Sequence, residues 1–370
     1  MLPEIKITSE DSDILKFEIN NTSVSIVNGL RRILLANIPT VVFKTTPYTS
    51  NKCDILINTT RLNNEILKQR LSCIPIHITD LSLPLEQYLV KVDKKNDSNN
   101  IEFVTTEDFK IINTVTNKEI SESEKEKIFP KNSMTQQYID FCRLRPKLSN
   151  NMDGEHLKFS AVMELGTAAE NGMYNAVSKA SFGNTIDSER AALAWAEKEK
   201  ELQSTGNTPE IIEYERKNWY LLEAQRYYKS NSFDFVIETV GVFKNRALVK
   251  KACDVIILKL LDVLRLLEEG DLRIINSNCT IVNCFDIILE NEDFTLGKVI
   301  EYILYILHYE GDTTLSFLGF RKAHPHDTQS YLRMAFHDKV SGDLRLVVQE
   351  YIKNAISKSI DIYKAISGNF

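Results

Sequence analysis

Two long amphipathic stretches govern what this chain can become. From Asn245 to Leu267, the residues Leu248, Ala252, Val255, Ile256, Lys259, Leu260, Val263 and Leu267 fall near one side of a helix. From Asp343 to Ile366, Leu344, Val347, Val348, Tyr351, Ala355 and Ile362 do the same. Each stretch closes a longer pattern. The first opens with alternating segments, Glu4 to Thr8 and Ile14 to Ile19, parted by Ser9-Glu10-Asp11-Ser12-Asp13, which predicts a hairpin. A helix capped by Thr22 or Ser23 follows, with Ile26, Val27, Leu30, Ile33 and Leu34 at helical spacing until Pro39 stops it, and Val41 begins a new extended segment. After Glu268-Glu269-Gly270 the order repeats: strands at Leu272 to Ile275 and Ile281 to Leu289, a helix from Thr295 with Leu296, Val299, Ile300, Ile303 and Leu307 in a stripe, then strands at Leu315 to Phe320 and Tyr331 to Phe336.

The recurrence predicts an α+β fold containing two copies of one module. One small sheet cannot cover so long an apolar stripe, so the two stripes are expected to bury one another. Burying one Leu or Ile is worth about 1.5–3 kcal/mol, against roughly 0.2–1 kcal/mol for an exposed ion pair. Apolar helix packing therefore decides the architecture, an intrachain pseudo-dimer with Leu30, Leu34, Leu260, Leu296, Ile300 and Val348 at the module interface.

Between the halves of the first module the pattern changes. Residues 49–182 carry short strand candidates, a helix near Glu65 to Leu71 and polar connections such as KKNDSNN, the expectation for an inserted, mostly-β domain. Within it Ser121 and Glu124 stand at capping-box spacing, which predicts a short solvated helix. Residues 183–230 form a charged helical insertion of two surface helices, the second started by Thr208-Pro209-Glu210 and containing Trp219 and Tyr220. Phe233 to Val240 then alternates as a strand. The first module is accordingly 1–48 with 231–269, and the second is 270–370.

Composition narrows the function. With 43% hydrophobic and 26% charged residues in 370, the chain is an ordinary globular one. A net charge of -6, with lysine and arginine scattered among acids, argues against a dominant nucleic-acid surface, so any link to DNA is indirect. No apolar run approaches the roughly 20 residues of a membrane span, and the start lacks a signal core, so an intracellular location without membrane attachment is expected. The six cysteines lack the close pairs of a structural zinc site and read as reduced, mostly buried thiols. His324-Pro325-His326 with Asp327 lacks a third ligand and reads as a turn. Cys73 near His77 could evoke a nucleophile and base, but no oxyanion-stabilising group accompanies it. There is neither a phosphate-binding P-loop nor an Asp-x-Asp cluster for catalytic magnesium. No catalytic residue, metal or cofactor is therefore assigned.

The stretch from Ser23 to Leu35, SVSIVNGLRRILL, followed by Ile38-Pro39-Thr40, resembles the first-helix signature of the RNA polymerase α-like family, which includes the bacterial α protein, its archaeal D-like counterpart and the third-largest component of polymerase II. Asn58-Thr59-Thr60 and the run from Glu65 to Ile76, EILKQRLSCIPI, resemble its next signature. Thr105 to Phe109 and Leu165 to Glu170 match weaker positions, and Phe235 to Gly241 is similar to the strand returning to the dimerisation module. The second module resembles the smaller partner, the archaeal L-like protein and the eleventh component of polymerase II, in Asn291 to Ile300 and Phe320 to His326.

The resemblance implies a non-catalytic assembly platform of a DNA-dependent RNA polymerase. It would dock the largest and second-largest subunits and small subunits, with one copy per complex and no homodimer through the module helices. It also implies that Arg31, Arg32 and Arg70 meet partners; for Arg31 and Arg32 the residues alone would equally suit a solvated helix face. Both partners in one chain resembles the arrangement in nucleocytoplasmic large DNA viruses, which would place the protein in the virion and host cytoplasm. Many relatives carry zinc or an iron–sulfur cluster in the insertion, but the cysteines for either are missing, so metal is not carried over. The alternative is a metal-dependent enzyme or regulator on a similar α+β fold.

Overall fold

A computed structural model describes residues 2–147, 153–338 and 342–370. In chain order the elements begin with strands β1 (Glu4–Glu10) and β2 (Ile14–Asn20) and helix α1 (Val24–Ala36). Next come β3 (Thr40–Phe43), β4 (Cys53–Asn58), α2 (Asn64–Ser72), β5 (Tyr88–Lys95), β6 (Glu102–Thr105), β7 (Lys110–Asn113), β8 (Lys118–Glu119), α3 (Glu122–Ile128), β9 (Asp140–Leu144) and β10 (His156–Gly166). Strand β11 (Val177–Ile186), helices α4 (Ser188–Ser204) and α5 (Pro209–Leu221), β12 (Tyr228–Thr239) and the long α6 (Asn245–Glu269) follow. The last third holds β13 (Arg273–Asn276), β14 (Cys284–Glu290), α7 (Phe294–Leu304), β15 (Leu315–Arg321), β16 (Gln329–Phe336) and α8 (Leu344–Ser367). These elements fall into two compact units. One comprises Met1–Leu34, Lys179–Glu238 and Asn245–Phe370, the other Leu35–Ser178 and Thr239–Lys244.

The first unit holds two antiparallel four-stranded sheets, ordered β1-β2-β12-β11 and β13-β14-β16-β15. In the first, Phe17 of β2 lies opposite Phe235 of β12 with rings stacked at 5.1 Å, and the edge of Phe370 meets Phe17 at 4.9 Å. Alternation puts Leu15, Phe17 and Ile19 on the buried face, as a half-covered sheet requires. The second sheet pairs Ile287 of β14 with Leu332 of β16, and Arg333 grips Asp286 of the neighbouring strand with two bonds of 2.6 and 2.8 Å. That fork keeps the guanidinium charged and holds the Asp286 carboxyl below its usual range, although burial alone would raise it.

The helices linking β11 to β12 are more than a solvated surface. Trp195 of α4 and Trp219 of α5 are buried with ring centres 6.1 Å apart, and with Ala191 and Ala224 they make a small cluster of their own. Asp187 caps α4 through the Arg190 amide, whereas Thr208, expected to cap α5, makes no side-chain cap bond there.

The second unit is built on a sheet ordered β3-β10-β5-β7-β8, with β4 also paired to β10, and a two-stranded ribbon of β6 and β9. Its core centres on Phe43, Phe109, Phe129, Phe141 and Phe159. Helix α2 starts at the Asn63 cap, and α3 starts at the Ser121–Glu124 capping box that its spacing predicts. The polar connection after β5 is organised by fully buried Asn96, whose amide donates to the carbonyls of Asn100 and Leu144.

Two expected stripes need correction. Leu307 is only half-buried, because the chain widens into a π-helical turn at Tyr305–Gly311, and the altered pitch turns His308 inward instead. On α8 the buried line runs through Val348, Ile352, Ala355, Ile356, Ser359, Ile360, Tyr363 and Ile366; Leu344, Val347, Tyr351 and Ile362 stay partly exposed. The expected stripe is rotated off the buried line, which also takes in Ile352, Ile356, Ile360 and Ile366, and it leaves out the polar Ser359. Ser359 satisfies its hydroxyl by donating to the Ala355 carbonyl one turn back.

Candidate functional site

Helices α1, α6, α7 and α8 of the first unit converge on one glycine. A β-carbon on Gly29 would stand 2.7 Å from the Tyr363 hydroxyl, 3.1 Å from a Val299 methyl and 3.5 Å from the end of Ile256. Gly29 is thus where α1 comes close to a residue from each of the other three. Tyr363 is fully buried, and its hydroxyl donates to the Ile26 carbonyl at 3.0 Å. A buried phenol needs such an acceptor. Gly297 has an analogous task in α7: a β-carbon there would lie 2.1 Å from the Phe320 ring, so only glycine lets β15 pack so closely on this helix.

Around this crossing Leu30, Leu260, Leu296 and Val348 are fully buried, and Leu34 and Ile300 are 1% exposed. Helix α8 packs against both α6 and α7. Nothing in this apolar contact positions a nucleophile beside a base. Its physical capability is cohesion.

Ion pairs border the apolar contact. Arg32 donates through Nε to Thr295 Oγ1 at 2.7 Å and through Nη2 to Asp293 Oδ2 at 2.6 Å. Asp293 is also the N-cap of α7, accepting the Thr295 amide at 2.7 Å. Burial raises the Asp293 pKa, but the Thr295 bonds and the Arg32 charge outweigh it, so the carboxyl sits below its usual range. Beside it Lys259 of α6 reaches Glu292 at 2.7 Å; there burial wins over the lysine, and Glu292 sits above its usual range. Adjacent acids before α7 therefore bind one cation from α1 and one from α6.

This gives Arg32 an intrachain task that the sequence did not suggest. Among the described residues Arg31 bonds only one turn back, to Asn28 Oδ1 at 3.0 Å, and it remains half-exposed. Arg70 lies in the second unit, donating to the backbone carbonyls of Phe141 at 2.6 Å and Asp140 at 2.8 Å. It ties α2 to β9, and its charge meets no carboxylate among the described residues. Sequence reasoning gave no role to Gly29, Tyr363, Glu292 or Asp293. The signal available was a glycine inside a strong amphipathic helix and a paired acid directly before another.

His324 and His326 sit in an exposed turn, where the His324 amide binds Asp327 and the His326 amide binds His324 Nδ1. Among the described residues, no group of three or more His, Cys, Asp or Glu side chains is placed to hold a metal ion, and no helix is long and apolar enough to cross a membrane.

The first unit is a mixed α/β fold in which helices pack against antiparallel sheets and against one another. The model of the RNA polymerase Rpb3/Rpb11 dimerisation domain matches residues 16–260, and the chain belongs to that family. The chain is 36% identical over 74 residues to DNA-directed RNA polymerases II, IV and V subunit 3 of Arabidopsis thaliana, covering 20% of this chain and 21% of that protein. It is 35% identical over 89 residues to DNA-directed RNA polymerases I and III subunit rpac1 of Dictyostelium discoideum, covering 23% and 24%. With DNA-directed RNA polymerase II subunit RPB3 of Schizosaccharomyces pombe it shares 32% identity over 80 residues, covering 22% and 25%. The similarity thus spans about a fifth to a quarter of these relatives.

Proposed function

We propose that this chain is a non-catalytic assembly subunit of a multisubunit DNA-directed RNA polymerase, and that its two α+β repeats form an intrachain pseudo-dimer on which the largest and second-largest subunits dock. The observation that carries the reading is the crossing at Gly29, where α1 and α6 of the first repeat meet α7 and α8 of the second. Membership of a dimerisation-domain family supports it. Residues 1–48 with 231–269 act as the first repeat and 270–370 as the second, with 49–182 inserted as a separate domain and 183–230 as a helical appendage. Joining the repeats raises their effective concentration to roughly millimolar and fixes their ratio at one to one. Such a chain works as one copy per complex and touches DNA only through its partners. The two-in-one arrangement and the Asn-, Ile- and Lys-rich composition support an origin in a large DNA virus, with the protein in the virion and host cytoplasm.

Arg31 is the partner contact we favour on α1, since among the described residues Asn28 alone engages it and Arg32 is occupied by Asp293. Arg31→Glu reverses the charge offered to a partner without disturbing the apolar crossing. Capture of the second-largest polymerase subunit by the tagged variant should fall sharply while its melting temperature stays at the parent's. Undiminished capture refutes the contact, and a large melting loss assigns Arg31 to the fold.

A further inference from the structure

In the second unit, a groove of about 430 Å³ is lined by Arg61, Arg70, Arg143 and Arg145, with Asp140 and Glu155 on its wall and Leu62, Ile101 and Cys142 as apolar surface. Among the described residues, one of the four arginines is paired with a carboxylate: Arg145 bonds Glu155 at 2.5 Å. Arg70 spends its hydrogen bonds on two neutral carbonyls. Arg143 lies 5.2 Å over the ring of Phe103, its cross-strand neighbour, a contact that orients a guanidinium without cancelling its charge. Arg61 is exposed and has no hydrogen-bond or ion-pair partner among the described residues. Ile101 and Phe103 extend the apolar surface at the rim, 57% and 44% exposed.

We propose that this groove is a docking site for an acidic segment of a partner polypeptide, one that alternates carboxylates with apolar side chains. The proposal rests on the assembly reading and extends it from Arg70 to a composite site. Charge complementarity selects the occupant: three guanidinium groups without carboxylate partners among the described residues border one apolar hollow, and a guanidinium fork matches a carboxylate with two parallel bonds. The volume suits a few side chains. A nucleic-acid backbone fits the same wall less well than an acidic-apolar peptide, because the hollow offers apolar surface in place of further cations.

The test uses the full chain and a fluorescein-labelled peptide alternating Glu and Leu, followed by fluorescence anisotropy. Controls are the same peptide with Gln for every Glu, and a single-stranded DNA oligonucleotide of similar length. The Glu–Leu peptide should bind, weaken as salt rises, and lose roughly tenfold in affinity against the double variant Arg61→Glu with Arg143→Glu. Arg61→Gln with Arg143→Gln, which removes the charges without reversing them, should give a smaller loss. Arg70 is left intact because it holds β9. Equal binding of the Gln peptide, parental affinity in the reversed variant, or tighter binding of the oligonucleotide overturns the site. Co-purification separates this from the parent reading. If the parent chain recovers the large polymerase subunits and the reversed variant recovers the same set of partners in the same amounts, the groove fails and the assembly function stands. If the parent chain recovers no polymerase subunit, the assembly function fails, and the groove's assignment to such a partner with it.

Discussion

At the residue scale the helix crossing turns on Gly29 and its neighbour Tyr363. Gly29→Ala gains up to about 1 kcal/mol of helix propensity, but overpacking a filled core costs about 1–3 kcal/mol, so the variant should melt below the parent. The clash is with the tyrosine oxygen, and therefore Tyr363→Phe in the same chain should recover part of the loss. Thermal unfolding of both singles and the double reads this coupling; strict additivity would place the strain elsewhere. Asp293 makes a pH-dependent prediction. Its folded pKa is lowered, so its contribution is complete above the unfolded value near 4 and is lost as pH falls through the folded value. The melting gap between Asp293→Asn and the parent should be largest at neutral pH and shrink toward pH of about 3. A gap that does not change with pH would deny the ion pair any part in stability. These contacts were illegible in sequence for one reason: Arg32 to Asp293 and Tyr363 to Ile26 join positions hundreds of residues apart, and no local period records them.

Elements were far more legible. The stripe through Ile26, Leu30, Ile33 and Leu34 and that through Leu248, Ala252, Ile256 and Leu260 follow the helical period and are buried as read. Errors arose at the π turn after α7, where the period changes, and on α8, where the expected stripe is rotated off the buried line and misses Ile352, Ile356 and Ile360 as well as Ser359 and Tyr363. Leu260→Asp or Val348→Asp would place an unpaired charge in a fully buried line, costing several kcal/mol and with it soluble protein. Denaturation at the parent's midpoint would mean that these stripes contribute nothing to stability. The α4–α5 pair should behave differently, because its tryptophan cluster is its own small core. Trp219→Ala should speed hydrogen exchange across Ser188–Ser204 and Pro209–Leu221 while leaving exchange in α6 and α8 unchanged. Matched acceleration in all four helices would tie the appendage to the main core.

At the scale of the whole molecule, repetition in the sequence predicts two α+β repeats, and the family resemblance implies what they are for. Helix packing rather than the peptide link should hold the repeats together, so cutting a protease site engineered between Glu268 and Leu272 should leave two pieces that co-elute at micromolar concentration. Separation would show that the tether, not the crossing, maintains the pairing. The most direct test of the assembly function is native mass spectrometry of the complex purified on this tagged chain from the cells where it acts. An assembly platform of this kind predicts a single copy of the chain bound to both large polymerase subunits; two copies joined to each other, or a complex without either large subunit, would contradict it.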